Sequence, residues 1–173
     1  ADSSGLGRLE YESMSQQSLM EMAVSRMTFD NQRGFLDDNS NFVDIHEWDG
    51  VEMNEECTKV LMIDWEFIAE DEEPEKPSGQ GTILLEWLPP TVVVILFNNR
   101  GFEGKFDANK LPKRLRQIYA ENNRLTGEVD LSALPEGMTN CILPLNFLTG
   151  SIDLSQLPAR MRRLSLFSNQ LEG

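Results

Sequence analysis

Apolar and polar positions along residues 81–173 follow a pattern that recurs every 23 residues. Glycines and prolines mark the repeat at constant spacing: Gly81, Gly104, Gly127, Gly150 and Gly173, and Pro89, Pro112, Pro135 and Pro158. Self-similarity at a period between about 20 and 50 residues is typical of a solenoid, whose units bury a core only by stacking on their neighbours. The pattern therefore predicts a stack of similar coils.

Each unit contains a short stretch in which apolar residues alternate with others. In the last full copy, Leu164 and Leu166 follow Met161 and precede Asn169 and Leu171. A period of two predicts a strand with one buried face, and we expect Asn169 to be buried where its amide bonds to backbone groups of adjacent coils. The earlier copies contain Met138, Cys141, Leu143, Asn146 and Leu148, and Leu115, Ile118, Ala120, Asn123 and Leu125.

The other half of each coil indicates extended backbone. Val129 and Leu131 alternate with polar residues after Gly127 and before Leu134 and Pro135. Proline has a fixed φ that suits a turn. We therefore expect short extended segments and little α-helix on the convex side.

Helical spacing occurs upstream, in residues 15–27, where Leu19, Met20, Ala23, Val24 and Met27 lie near i, i+3 and i+4 positions. We predict a small helical and irregular N-terminal cap over residues 1–58. The repeats are predicted over residues 59–173, as about five coils. An acidic, proline-containing insertion over residues 69–81 is expected to be a solvated loop.

The repeated residues resemble the leucine-rich repeats of kinetoplastids and other protists, with units of the form L-T-G-x-I-D-L-S-x-L-P. They are also similar to plant-type leucine-rich repeats, although Asp130 and Asp153 stand where the plant pattern has proline. Trp48 to Val51 resembles the W-x-G-V turn of plant-type N-terminal caps, which usually carry paired cysteines, whereas Cys57 stands alone here. The resemblance implies an α/β solenoid, a right-handed arc with a parallel sheet on its concave face.

One unit departs from the pattern. From Leu88 to Asn99 it is interpreted as one residue short before its asparagines, with Gly101 restoring the phase. This alignment directs Ile95 and Phe97 towards the concave surface.

Charge is divided unevenly along the chain. Residues 1–80 contain 20 acidic and 5 basic residues, whereas residues 81–173 contain 9 and 10. The acidic first half disfavours nucleic acid and anionic lipid, because phosphate contacts dominate those affinities. No stretch reaches 18 apolar residues, so no transmembrane span is predicted.

The two cysteines, Cys57 and Cys141, are too few for a disulfide framework. We expect both to be thiols, as in a reducing, intracellular compartment whose identity stays open. The chain begins without methionine, which is compatible with removal of a targeting segment and location in an organelle.

Two motifs contain residue types that are found in chemical sites. Asp37 to Phe42 resembles the start of a calcium loop, but the sixth and twelfth positions are Phe42 and Trp48 instead of glycine and glutamate, so capping of a turn is favoured. A metal or hydrolytic site at His46 with Cys57 is a remote alternative, because no orienting group can be placed. We predict no enzymatic activity, cofactor or metal.

The concave face is the predicted binding surface. Residues between the core positions of successive strands form columns, because parallel strands stack about 4.8 Å apart. Apolar and aromatic side chains in these columns favour a protein partner. The candidate contact residues are Ile95, Phe97, Tyr119, Glu121, Ile142, Leu145, Arg163 and Phe167.

Arginines lie just before or within the predicted strands, along one edge: Arg114, Arg116, Arg160, Arg162 and Arg163. They can pair with the acidic cap of this chain or with an acidic partner, and the sequence does not choose between the two.

We predict a non-enzymatic protein–protein interaction module, an accessory subunit or scaffold in a larger protist protein assembly. The alternative is a soluble recognition or adaptor protein with a transient peptide or protein ligand. The repeats stop at Leu171 to Gly173 without a capping repeat. We expect their last apolar layer to be covered by further sequence, a second copy or another subunit.

Overall fold

The computed structural model describes residues 11–67 and 77–172. Its α-helices include α1 (Gln16–Val24) and α2 (Phe29–Gln32). The strands are β1 (Arg26–Met27), β2 (Val51–Met53), β3 (Val60–Asp64), β4 (Gly81–Thr82), β5 (Val94–Leu96), β6 (Glu103–Lys105), β7 (Gln117–Tyr119), β8 (Arg124–Glu128), β9 (Asn140–Ile142), β10 (Phe147–Ser151), β11 (Arg163–Ser165) and β12 (Gln170–Glu172).

The repeats build two sheets that run side by side along the stack. The inner sheet has the order β11-β9-β7-β5-β3-β2, and all its pairs are parallel except the antiparallel pair of β2 with β3. The outer sheet is parallel throughout, with the order β12-β10-β8-β6. The predicted solenoid with a parallel sheet on one face is confirmed.

The convex side consists of the outer strands followed by single turns of 3-10 helix, such as Leu131–Ala133. The aspartate that departs from the plant pattern has a local role there. Asp130 Oδ1 accepts hydrogen bonds from the Ser132 N–H at 2.9 Å and the Ser132 hydroxyl at 2.6 Å. These bonds cap the turn and lower the pKa of Asp130. Asp153 and Ser155 repeat the arrangement one coil later.

The core between the sheets is continuous from the cap to the fourth coil. Asparagines line its turn: Asn123 and Asn146 are buried, as predicted, whereas Asn169 is partly exposed because no further coil covers it in the described residues. The Asn146 side-chain amide donates to the carbonyls of Ala120, Leu143 and Pro144 at 2.8, 3.2 and 3.1 Å. Its oxygen accepts from the Leu125 N–H at 3.0 Å. Asn123 and Asn169 make the equivalent set of bonds in their own coils.

The interpretation of the Leu88 unit as one residue short is wrong. Strand pairing aligns Ile95 with Ile118, so this unit keeps the full repeat length. Arg100 occupies the place of the ladder asparagine: its Nη1 donates to the Trp65 carbonyl at 2.9 Å, and its Nη2 donates to Asn31 Oδ1 at 2.8 Å. An arginine thus replaces the asparagine and reaches further, joining the coil to the cap.

The cap packs its helix on the first coils. Ser15 caps α1 by accepting from the Ser18 N–H, and the predicted stripe of Leu19, Met20, Ala23 and Val24 is buried. Beyond the helix, Trp48 is buried and stacks on Phe35 with ring centroids 4.4 Å apart. Gly50 has a φ of +74°, and a Cβ there would collide with the Asp64 carbonyl. The cap is therefore joined closely to β3.

The predicted acidic insertion over residues 69–81 lies mostly outside the described residues, apart from residues 77–81. Within the described part of the chain, no helix has the length and apolar character needed to cross a membrane.

Candidate protein-binding surface

Side chains that alternate with the core form three columns on the inner sheet, which we call the concave face. The first column contains Met62, Val94, Gln117, Asn140 and Arg163. The second contains Asp64, Leu96, Tyr119, Ile142 and Ser165. The third, just past the strand ends, contains Glu66, Asn98, Glu121, Pro144 and Phe167.

Six of the eight predicted contact residues lie on or beside this face. Tyr119, Glu121 and Ile142 are partly exposed, and Arg163 is exposed. Leu145 and Phe167 are among the most exposed large apolar residues, at 37% and 61%. The structure thus brings these six side chains together over the third to fifth coils.

The prediction for Ile95 and Phe97 is wrong. They are 0% and 1% exposed and belong to the core. Asn98 and Asn99 resemble the buried asparagines of the other units, but Arg100 holds that position. Leu96 and Asn98 therefore replace Ile95 and Phe97 in the second and third columns.

A polar cluster that the sequence analysis missed occupies the centre of the first column. With the Asn140 amide oriented so that both its atoms are satisfied, Oδ1 accepts from the Tyr119 hydroxyl at 2.6 Å and from Arg163 Nη2 at 3.1 Å, and Nδ2 donates to the Thr139 carbonyl at 2.7 Å. The Tyr119 hydroxyl also lies 2.9 Å from Gln117 Oε1. The cluster orients Tyr119 and Arg163. The sequence feature that indicates it is the placing of three polar residues, Gln117, Asn140 and Arg163, at the same position of successive repeats.

The turn after each inner strand places one residue in the left-handed region of backbone conformation. Asn99, Asn122, Leu145 and Ser168 have φ values of +60°, +53°, +56° and +53°. Asparagine tolerates this region better than other non-glycine residues, because its short polar side chain can form local hydrogen bonds. Leucine has no polar group that would offset the steric cost. Leu145 is therefore both strained and partly exposed, beside Ile142, Pro144 and Phe167.

The amino ends of the inner strands form an edge rich in positive charge, which we call the basic edge. It comprises six exposed residues, Lys113, Arg114, Arg116, Arg160, Arg162 and Arg163. Among described residues the ion pairs are Arg33 with Asp30, His46 with Asp44 and Glu47, Lys110 with Glu86, and Arg124 with Glu103. None of these pairs involves the basic edge.

The other candidate sites show local structural roles. Asp37 accepts from the N–H groups of Asn39 and Asn41, and the bond from Asn41 contributes most to lowering its pKa. His46 Nδ1 lies 2.6 Å from Asp44 Oδ1, and this hydrogen bond raises the pKa of His46. Across the described ranges, no three His, Cys, Asp or Glu side chains are grouped so that they could hold a metal ion.

Comparison with known proteins gives no match to a family model and no match among curated proteins. Solved structures do match. The BIR3–SERK2 complex of Arabidopsis thaliana superposes with a TM-score of 0.66 at 21% identity, over 90% of this chain and 82% of that chain. The BIR2 ectodomain of the same plant gives 0.66 at 21%, over 92% and 82%. The SOBIR1 receptor kinase ectodomain, described as a leucine-rich repeat structure from the same plant, gives 0.54 at 14%, over 92% and 98%.

The chain has the leucine-rich repeat fold. Identities this low establish the fold and nothing finer about this leucine-rich repeat chain. The closer resemblance of its units to protist repeats, and of Trp48 to Val51 to plant-type caps, stays a prediction from the sequence.

Proposed function

We propose that this leucine-rich repeat chain is a non-enzymatic interaction module that holds another protein against its concave face, as an accessory subunit or scaffold of a larger assembly. The observation that carries the proposal is the apolar patch of Tyr119, Ile142, Leu145 and Phe167, whose side chains are partly or largely exposed on the water-facing side of an open sheet. One of the similar folds, the BIR3–SERK2 structure, is itself a complex.

The patch is unusual for a surface that faces only water. An antiparallel or parallel sheet with one solvated face normally carries polar residues there, and contiguous exposed apolar side chains mark interaction sites. Phe167 is 61% exposed and follows Pro144 in the third column, while Leu145 pairs with it through its N–H to the Phe167 carbonyl at 3.0 Å. A partner that covered these side chains would gain roughly 25 cal/mol for each Å² of apolar surface removed from water.

Leu145 supports the same proposal through its backbone. A leucine in the left-handed region costs roughly 1–2 kcal/mol, and 37% of the Leu145 surface still faces water in this chain. Strain held at an exposed site is a feature of functional surfaces. Burial of the Leu145 side chain by a partner would offset the cost.

We also propose that the protein works in a reducing compartment. Cys57 is exposed, Cys141 is buried and neither is in a disulfide. Burial raises the pKa of the Cys141 thiol to about 12, so that residue is kept as a packing element of the core.

Affinity capture from the native source tests the proposal. The double variant Tyr119→Ala with Phe167→Ala is expected to recover at least about tenfold less of the partner than wild type, because two aromatic anchors at an interface each contribute about 1–2 kcal/mol or more. The exposed pair Asn109→Ala with Glu128→Ala, away from the concave face, is the control. Undiminished recovery with the aromatic variant, judged by quantitative mass spectrometry, would reject the concave face as the site.

Replacing Leu145 with asparagine should separate stability from binding. Asn99 and Asn122 already occupy the equivalent turns, so Leu145→Asn is expected to raise the free energy of unfolding by about 1 kcal/mol. The same change should reduce partner recovery, because it removes an exposed apolar contact. Urea unfolding followed by circular dichroism, together with the capture assay, measures both effects. A variant that is more stable and still recovers the partner fully would show that Leu145 has no part in binding.

A further inference from the structure

The basic edge is a dense cluster of cations in a chain whose formal net charge is −14. Six of the ten basic residues in positions 81–173 lie there. In an acidic protein, a cluster of cations would be expected to attract carboxylates of the same chain. The described carboxylates nevertheless form no ion pair with it. The charge of this edge is therefore left unneutralised by the described part of the fold.

The described residues on either side of the acidic run lie near the carboxyl ends of the inner strands, at the opposite edge of the sheet. Phe67, just before the run, donates its N–H to the Asn98 carbonyl and accepts from the Asn99 amide at 3.0 Å, at the carboxyl end of the inner strands. Pro77, just after the run, lies against Gly101. The basic edge lies at the amino ends of later strands.

One member of the basic edge is already oriented towards the concave face. The Arg163 guanidinium contacts the Tyr119 hydroxyl at 3.2 Å, and Asn140 also accepts from it at 3.1 Å in the satisfied orientation. Both partners are neutral, so the positive charge of Arg163 is positioned without being cancelled. A guanidinium held in this way loses less conformational entropy when it binds a carboxylate.

We propose that the basic edge binds an acidic segment of the partner protein, with carboxylates on the edge and neighbouring apolar residues on the patch of Ile142, Leu145 and Phe167. This inference rests on the proposed function and names the chemistry of the partner. Cations beside exposed apolar side chains suit a segment that mixes glutamate or aspartate with apolar residues. A nucleic acid fits less well, because its phosphate backbone offers no apolar side chains to cover the neighbouring patch.

The strand spacing indicates how the acidic segment would be arranged. Arg116, Thr139 and Arg162 occupy one position in three successive coils, as their chain of backbone hydrogen bonds shows. At ~4.8 Å per strand, the backbones of Arg116 and Arg162 are about 10 Å apart. A segment in the polyproline II conformation rises about 3.1 Å per residue and repeats its side-chain direction every three residues, so carboxylates three residues apart have nearly this spacing and face the same side. The preferred segment thus has an acidic residue at every third position.

A peptide-binding measurement tests the inference. The probe is a fluorescein-labelled peptide of about twelve residues with glutamate at every third position among leucine and serine, and fluorescence anisotropy gives its Kd. For Arg116→Glu with Arg162→Glu we expect at least about a tenfold higher Kd than for wild type, since two attractive pairs become repulsive. The control is Lys59→Glu with Lys105→Glu, which changes the net charge equally at exposed sites elsewhere. Added salt should weaken wild-type binding more than binding by the arginine variant.

The outcomes distinguish this inference from the proposed function. Equal losses in the two charge-reversed pairs would overturn it, as would tighter binding of a single-stranded RNA of matched length than of the glutamate peptide. Partner capture that is abolished by Tyr119→Ala with Phe167→Ala but unchanged by the arginine variant would overturn the acidic-segment inference and leave the proposed function standing. Capture that depends on the arginine pair and not on the aromatic pair would reject the concave face while supporting the basic edge.

Discussion

Replacing Phe97 with alanine is expected to lower the free energy of unfolding by about 3–5 kcal/mol, the usual cost of removing a buried phenylalanine side chain. Phe97 is 1% exposed, and its ring lies 6.2 Å from the ring of Phe102. The variant would leave a cavity between the inner and outer sheets that coils on either side cannot fill without losing their own strand pairing. Urea unfolding monitored by circular dichroism measures the loss.

Phe167→Ala is the matched control for this prediction. The same atoms are removed, but from a side chain that is 61% exposed, so the expected change in unfolding free energy is below about 1 kcal/mol. In partner capture the order should be reversed. Phe167→Ala is expected to reduce recovery of the partner more than Phe97→Ala, because Phe167 contributes to binding and Phe97 does not. Similar unfolding free energies for the two variants would mean that the Phe97 side chain does not face the core.

Asn146→Ala is expected to cost about 3 kcal/mol of unfolding free energy. The side chain is 3% exposed and is bonded to four backbone groups, three carbonyls and the Leu125 N–H. Alanine would leave these groups buried without that partner, and each unsatisfied buried polar group costs roughly 1–3 kcal/mol, reduced here by partial relaxation. Thermal and urea denaturation of the purified variant provide the measurement.

Asn169→Ala separates the effect of burial from the loss of the bonds themselves. Asn169 makes the same four kinds of contact, but it is partly exposed in the fifth coil, so water can replace some of its bonds. We expect this variant to lose about half as much stability as Asn146→Ala. Equal losses would show that the ladder acts through hydrogen bonds alone, whatever the depth of burial.

The repeat pattern predicts the register of the later inner strands correctly and that of β5 incorrectly. Tyr119, Ile142 and Phe167 were placed on the concave face because their units match each other without a gap. The unit of β5 has an arginine where the others have asparagine, and two asparagines immediately before it, so pattern matching selected the wrong frame. A shift of one residue along a strand exchanges its two faces, and this is why Ile95 and Phe97 were misplaced.

The basic edge was recognised in the sequence, but its electrostatic partners were not. Whether Arg116 or Arg162 meets a carboxylate of the cap depends on contacts between residues more than fifty positions apart. Local spacing carries no information about such contacts. In the structure none of the described acidic residues forms an ion pair with this edge.

By itself, the sequence determined the stacked coils, the parallel inner sheet, the extended convex side and the burial of Asn123 and Asn146, because each of these follows from residues repeated at one period. Tertiary structure alone decided that Arg100 joins the coil to the cap through Trp65 and Asn31, and that Leu96, rather than Ile95, faces the concave side. The physical reason is that periodic burial is encoded locally, whereas a non-repeating side chain takes its place according to the acceptors that distant segments bring within its reach.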